Sequence, residues 1–334
     1  MWLNKLQSMK IFITGATGFI GKQVLEQLKK TKHELFCLVR KTNPSIEILR
    51  SSGVNVIEGD VRDKSSVLKA MKGCDWVINL ANIYTFWEPD KSVYKTTNVD
   101  GTRNVMECAL ETRILKVVHI SSVVTYGKPA ENPFKEDSTP GSEKYSVYAQ
   151  TKFEGDQIAW DLYKNKGLPL VVIYPGAVLG AGDPKSSGAY VSGLVRKTLP
   201  ATVFKKSILT WVHVKDVAEG IIKAAEKPDN IGERYIIAKH QISLKEFNKM
   251  ISEVSGVSLP FISMPDFMAM TSAYMLTGIS NLIKKPPIWG MSVDQMKTMK
   301  EGFRADGSKA EKELGITYTS IKTALEEQIA ALRN

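Results

Sequence analysis

Cysteine is scarce in this chain, with three among 334 residues: Cys37, Cys74 and Cys108. Their spacing matches no metal-binding pattern, so they read as small buried residues of a reducing compartment, and a cytoplasmic setting is expected. Histidine is nearly as rare. His119 and His213 lie in apolar strand contexts without paired ligands, so packing is their expected role and no metal is expected. No apolar segment with a cleavage site follows Met1, so secretion is not expected, and residues 1–8 read as a short disordered lead or an upstream start before Met9. Internal repeats and low-complexity stretches are absent from the sequence. A net charge of +10 comes without a basic block. The lysines are scattered along helices as a solvated surface, so no nucleic-acid partner is expected. A long hydrophobic run is also missing. The nearest approach is 257–283, rich in methionine and uncharged between Asp266 and Lys284. Those seventeen residues include Thr, Ser, Gly and Asn, which is marginal for a span. An interfacial helix, a core helix and a substrate lid remain, and the lid is the reading taken.

What is present is a large, ordinary globular composition, 43% hydrophobic and 24% charged. Over the first 130 residues apolar runs alternate with amphipathic segments. Strands are expected at Lys10–Thr14, Leu35–Val39, Val54–Glu58, Trp76–Ala81 and Lys116–Ser121, with helices at about 18–30, 65–72 and 98–111. The pattern continues through a helix to Lys166, a strand Leu170–Tyr174, a strand-to-helix pass over Thr210–Ala225 and a strand Arg234–Ala238. Such alternation predicts an α/β fold, a doubly wound parallel sheet with helices on both faces. A nucleotide-binding domain over 9–240, with an insertion near 176–208, would precede a smaller C-terminal substrate lobe over 241–334.

Gly15, Gly18 and Gly21 stand between the first strand and the first helix, in ITGATGFIG. Glycines there let the backbone approach a phosphate that a Cβ would block, and the helix start offers unpaired N–H groups to a pyrophosphate. The second strand chooses the dinucleotide. It ends FCLVRK, with Val39 where a carboxylate would meet the ribose 2′-hydroxyl, followed by Arg40 and Lys41. Two cations suit a 2′-phosphate, so NADP(H) is expected over NAD(H). Asp60 and Val61, after the third strand, are placed for the adenine edge, or Asp60 for turn-making alone.

Tyr148 and Lys152 share a helix face four residues apart, in SVYAQTKFEG. A cation beside a phenol favours the phenolate and lowers its pKa towards a useful value. Asn98 reads as the N-cap of its helix, and Ser121 as a packing residue.

With these pieces placed, the chain resembles the extended short-chain dehydrogenase/reductase family, within the NAD-dependent epimerase/dehydratase superfamily. The carrying motifs are TGATGFIG (Thr14–Gly21), GDVRD (Gly59–Asp63), NLA (Asn79–Ala81), NVDGT (Asn98–Thr102), HISSVVTYG (His119–Gly127), YAQTK (Tyr148–Lys152), YPGAVLGAGD (Tyr174–Asp183) and WVHVKDVAEG (Trp211–Gly220). The likeness runs from about Met9 to Arg333. It is strongest to dihydroflavonol-reductase-like and 3β-hydroxysteroid-dehydrogenase-like members, through the V-R end of the second strand, PGAVLG and DGSKAEKELGI. The resemblance implies a Rossmann domain and a Ser-Tyr-Lys mechanism. Ser122 would orient the carbonyl oxygen, Tyr148 would exchange its proton, and Lys152 would acidify the phenol and hold the nicotinamide ribose. It also implies cofactor contacts from Thr17, Phe19, Ile20, Leu80, Ala81, Asn82, Tyr174, Pro175, Gly176 and Val178. Tyr174 departs from the family, which usually carries arginine there. A homodimer is implied too, paired through helices at about 98–111 and 146–166, with Val105, Ala109, Ile158 and Leu162 at helical spacing.

Tyr84, Phe86 and Trp87 crowd a loop after the fourth strand, and with Tyr126 they are the candidate substrate contacts. Phe267, Met268, Met270, Tyr274 and Met275 would close over an apolar substrate. The expected function is NADP(H)-dependent reduction of a hydrophobic or ring-bearing ketone or aldehyde, or oxidation of the corresponding alcohol. The alternatives are a nucleotide-sugar epimerase or dehydratase, and a non-catalytic NADP-binding regulatory or scaffold protein.

Overall fold

Strands buried on both faces read as unbroken apolar runs, and three here are buried along their whole length: Trp76–Asn79, Lys116–Ile120 and Leu170–Pro175. The computed structural model describes residues 8–333; residues 1–7 lie outside the described residues. In chain order the strands are β1 (Lys10–Thr14), β2 (Glu34–Val39), β3 (Asn55–Glu58), β4 (Trp76–Asn79), β5 (Lys116–Ile120), β6 (Leu170–Pro175), β7 (Ala177–Leu179), β8 (Ala201–Thr202), β9 (Ile208–His213), β10 (Arg234–Ile237), β11 (His240–Ser243) and β12 (Ile262–Ser263). Seven form one parallel sheet in the order β10-β6-β5-β4-β1-β2-β3. This is the doubly wound arrangement. The order reverses between β1 and β4, where such sheets open a crevice at their carboxyl ends.

Two apolar clusters cover the two faces of this sheet, with Ile11 and Ile13 in one and Phe12 in the other. A third, built on Trp211, Phe247 and Leu325, fills the smaller lobe. There Trp211 and Phe247 stack with centroids 3.9 Å apart. The strand expected at Thr210 does not continue the large sheet. As β9 it pairs antiparallel with β11 and parallel with β7, a separate three-stranded sheet on the lobe side. Late in the chain, the helix Ser308–Leu314 returns to pack on β10 and on the helix Val214–Glu226.

The helix expected from Asn98 begins earlier, because Ser92–Tyr94, a π-helical stretch Lys95–Asp100 and Gly101–Glu111 run on without a break. Asn98 is therefore interior and caps nothing. The positions singled out for dimer pairing have another occupation. Val105, Ala109 and Leu162 are buried against the sheet of their own chain, and Ile158 packs beside them. No helix among the described residues is long and apolar enough to cross a membrane.

Candidate active site

The glycine turn sits at the switch point. Gly15 has φ +71°, and a Cβ there would lie 2.6 Å from the Leu80 carbonyl carbon at the end of β4. A Cβ on Gly21 would lie 2.2 Å from the Gly15 oxygen. Both positions therefore demand glycine, one for conformation and contact, the other for contact alone. Gly18 caps the helix Phe19–Leu28 with no side-chain bond to its first turn, leaving that helix start available to an anion.

A cavity of about 510 Å³ opens above this turn. It gathers Gly15, Thr17, Gly18, Phe19, Ile20, Gly21, Arg40, Asp60, Val61, Leu80, Ala81, Asn82, Ser122, Tyr148, Pro175, Gly176 and Val178, together with Tyr84 and Phe86. Other residues named from the sequence lie elsewhere. Lys41 is exposed outside the cavity. Tyr174 points into the sheet core, where Trp160 Nε1 donates to its hydroxyl at 3.4 Å. Tyr126 is buried beside it, stacked on Phe134 at 4.7 Å and donating to the Glu136 carbonyl at 2.9 Å. Tyr174, before Pro175 on β6, faces the core, and neither tyrosine is among the residues that line the cavity. Trp87 lines a neighbouring cavity and donates to Asn281 Oδ1 at 2.9 Å.

Asp60 is gripped by Arg62, whose Nη2 and Nε donate to it at 2.7 and 3.0 Å. That pairing, with Arg40 nearby, holds its carboxyl below the usual carboxylate range. Asp60 thus makes its turn and faces the cavity as well. Arg62 and Asn43 also line it and were not singled out in the sequence. Arg62 lay inside the GDVRD motif; Asn43 carried no signal, and its Nδ2 donates to Thr17 Oγ1 at 3.0 Å across 26 residues.

The helix Val147–Lys166 presents the Tyr-Lys pair. Ser146 accepts the Ala149 N–H at its start, and Gly167, at φ +68°, ends it. Tyr148 is caged by Tyr84 and Phe86, with centroids 5.2 and 6.1 Å away. Burial pushes the phenol well above its ordinary range, and Ser122 opposes that by favouring the phenolate. The acidification expected from Lys152 is not found: burial, Tyr84 and Asp156 all raise the phenol, and no cation is among the groups that act on it. Lys152 is buried outside the cavity lining, its Nζ donating to the Ile120 carbonyl at 2.8 Å. Burial brings it down to about 8, against the pull of Asp156.

Asp156 belongs to a buried polar chain that sequence reasoning missed. Ser121 Oγ donates to its Oδ2 at 2.5 Å, and His119 Nε2 lies 3.2 Å from its Oδ1, out of line for a hydrogen bond. Thr14 donates to Asn79 Oδ1 at 2.6 Å, so Asn79 Nδ2 must donate to His119 Nδ1, 3.0 Å away. That assigns the proton of a neutral His119 to Nε2. Burial and Lys152 both hold its pKa down. The chain crosses β1, β4 and β5 to the helix carrying Lys152.

Asn98 has a different task from capping. Its Oδ1 accepts the Ile83 N–H at 2.7 Å, and its Nδ2 donates to Ile83 O and Thr151 Oγ1 at 3.3 and 3.1 Å. It ties the loop carrying Tyr84 to the helix carrying Tyr148.

A second cavity of about 420 Å³ adjoins the first, sharing Tyr84, Phe86, Gln295 and Met299. Its far walls are Met264, Pro286, Pro287, Trp289, Met291 and Met296. Among the described residues lining it, Lys185 is the single charged side chain. The expected lid residues are absent from both linings. Phe267, Met268, Tyr274 and Met275 face outward and exposed, and Met270 packs into the lobe core.

Comparison with known proteins agrees with this geometry. The family model described as "NAD dependent epimerase/dehydratase family" matches residues 11–238. A Synechocystis sp. protein carrying the name of a dihydroflavonol 4-reductase is 27% identical over 330 residues, covering 97% of this chain and 94% of its own. A UDP-glucose 4-epimerase of Neisseria meningitidis serogroup C is 26% identical over 286 residues, covering 75% of this chain and 84% of its own. The crystal structure of gox2253 superposes with a TM-score of 0.82 at 29% identity, covering 98% of each chain.

Proposed function

The chain belongs to the NAD-dependent epimerase/dehydratase family, a family of nucleotide-dependent oxidoreductases and epimerases, and from that premise we propose an NADP(H)-dependent reductase of apolar, ring-bearing ketones or aldehydes. The observation that carries this reading is the second cavity. It adjoins the cavity that Ser122 and Tyr148 line, sharing Tyr84 and Phe86 with it, and its far walls are methionine, proline and tryptophan, with Lys185 as the one charged side chain among the described residues lining it. Such a surface suits a hydrophobic body and is poor material for a sugar nucleotide's diphosphate.

The cofactor cradle fits a dinucleotide, since Gly15, Gly18 and Gly21 line the cavity and the tight turn they form leaves no room for a Cβ at Gly15 or Gly21. The helix start after Gly18 would hold the pyrophosphate, and Arg40 and Arg62 would address a 2′-phosphate at the carboxylate-free end of β2. When bound, the nicotinamide supplies or accepts the hydride. The chain's own residues manage the oxygen. Ser122 would donate to the substrate carbonyl and orient it. Tyr148, kept protonated by burial, would give the developing alkoxide its proton. Lys152 would restore that proton through its charged form and steady the ribose. Tyr84 and Phe86 exclude water from the phenol.

A second reading, a nucleotide-sugar epimerase, is favoured by the Neisseria relative, and the same three residues would serve it through transient oxidation. Three buried free thiols suit a reducing, cytoplasmic setting, and we further propose a homodimer formed by the outer faces of the helices Gly101–Glu111 and Val147–Lys166. The deciding experiment is a panel of apolar ketones and UDP-sugars with the purified protein, followed by nicotinamide absorbance and product analysis. Oxidation of NADPH with apolar ketones, faster than of NADH, is expected. Conversion of a UDP-sugar without turnover of any apolar ketone overturns the reading in favour of the epimerase.

A further inference from the structure

The helix Asp266–Ile283 is turned the wrong way for a water-soluble surface. It buries Ala269, Ala273 and Ser280 and exposes Phe267 (72%), Met275 (64%) and Leu282 (83%), with Met268, Tyr274, Ile279 and Ile283 beside them. At 100° per residue the exposed set falls on one side of the cylinder and the small buried set on the other. An ordinary amphipathic helix does the reverse. No charged side chain interrupts the face between Asp266 and Lys284, a length of about 27 Å. Phe261, Ile262, Ile288 and Trp289 are exposed as well, in the segments that flank the helix. A contiguous apolar surface of this kind marks an interaction site.

The rim of the surface is basic. Lys284 and Lys285 are exposed at one end, with Asp90 near Lys284. At the other end, Pro265 and Asp266 share a crevice in which five bases (Lys128, Lys205, Lys206, Lys300 and Arg304) outnumber three acids. The face also runs into the mouth of the second cavity, because exposed Trp289 and the neighbouring Pro286 are among that cavity's walls.

We propose that this face lies on an anionic lipid surface, with the helix axis in the plane of the bilayer and the second cavity opening towards the lipid. Aromatic and methionine side chains would enter the boundary between headgroups and acyl chains, and the flanking lysines would meet lipid phosphates. A second copy of the chain is the weaker occupant. An isologous contact across this helix would bring the basic rim of one copy against the basic rim of the other. The proposal rests on the surface and is independent of which substrate the site takes.

The test is flotation of the full chain with vesicles of phosphatidylcholine, alone and with about one third phosphatidylglycerol. Two variants accompany it, F267Q/M275Q/L282Q on the apolar face and K284E/K285E on the rim. All five positions are exposed, so melting temperature and basal turnover of a water-soluble substrate are expected to stay unchanged. The native chain should float with the anionic vesicles, and added salt should weaken it. The apolar variant should lose more than about tenfold in bound fraction, and the rim variant roughly tenfold at low salt. Absence of flotation of the native chain, or flotation of both variants as well as the native chain, overturns the proposal. So does a light-scattering mass that halves in the apolar variant, which would assign the face to a second copy.

Discussion

The Tyr84 ring meets the Tyr148 ring edge-on, with centroids 5.2 Å apart at an interplanar angle of 65°. Phe86 closes another side at 6.1 Å. These aromatics were expected from the sequence to wall a substrate, and they do line both cavities. They also set the state of the catalytic candidate, because they remove the water that would stabilise a phenolate. Burial therefore favours the protonated phenol at Tyr148, which is the form that carbonyl reduction requires.

The first prediction concerns that proton. Tyr148→Phe keeps the ring and its packing but removes the donor. Turnover should fall by about 10²–10⁴-fold, the usual worth of a positioned acid. Cofactor affinity, measured by fluorescence titration, should stay within about threefold of the native value, since the substitution removes only the transferable proton and keeps the ring. A variant that turns over at the native rate removes Tyr148 from the mechanism.

The charge on Lys152 dictates a pH dependence. Burial holds the ammonium down to about 8, so it is charged below that pH and neutral above it. Reduction should therefore decline as pH rises through about 8, with the slope of a single ionisation. Asp156 pulls the lysine's pKa upward. Asp156→Asn should move the alkaline limb to lower pH while Ser121 keeps a hydrogen-bond acceptor. The kcat/KM profile measures both effects, and a limb at the same position in the variant would show that Asp156 is a packing residue only.

Arg40 carries the cofactor prediction. Losing one charge-assisted bond to a 2′-phosphate costs about 1.5–3 kcal/mol, which is roughly 10- to 150-fold in affinity. Arg40→Ala should weaken NADPH by that factor and leave NADH nearly unchanged. Equal affinity of the native protein for the two cofactors would overturn the reading of the second strand.

How much was legible in the sequence depends on how local the signal was. β1 was placed residue for residue, because a buried parallel strand is an apolar run bounded by turn residues. The glycine turn and the Tyr-Lys helix were equally plain, since each is a short spacing with a local physical demand. Contacts across distant segments left no such trace. His119 and Asp156 come together only after β5 and the helix Val147–Lys166 pack, and a lone histidine in a strand looks like core. The lobe's small sheet was hidden too, because β11 is four residues long and finds its partner β9 in antiparallel pairing. For 257–283 the composition was informative and the direction was not. An uncharged run has no polar face to mark the outside, so Met268 and Met275 were expected over the pocket and lie on the surface.

Asn98 offers the last prediction, because its three hydrogen bonds join the two halves of the proposed acid. Its Oδ1 holds the Ile83 N–H, one residue before Tyr84, and its Nδ2 holds Thr151, one residue before Lys152. The side chain is fully buried. Asn98→Ala would strand the Ile83 N–H without a partner, at a cost of about 1–3 kcal/mol. A purely structural role predicts only a lower melting temperature. The geometry predicts more, since a loosened Ile83 lets the Tyr84 ring leave Tyr148 and admits water to the phenol. In the folded fraction kcat should then drop while cofactor affinity holds. Asn98→Asp retains the acceptor for Ile83 and loses the donor to Thr151. It should recover more activity than Asn98→Ala, because the bond that positions Tyr84 survives. Identical kcat values for the two variants, after correction for the folded fraction, would confine Asn98 to stability.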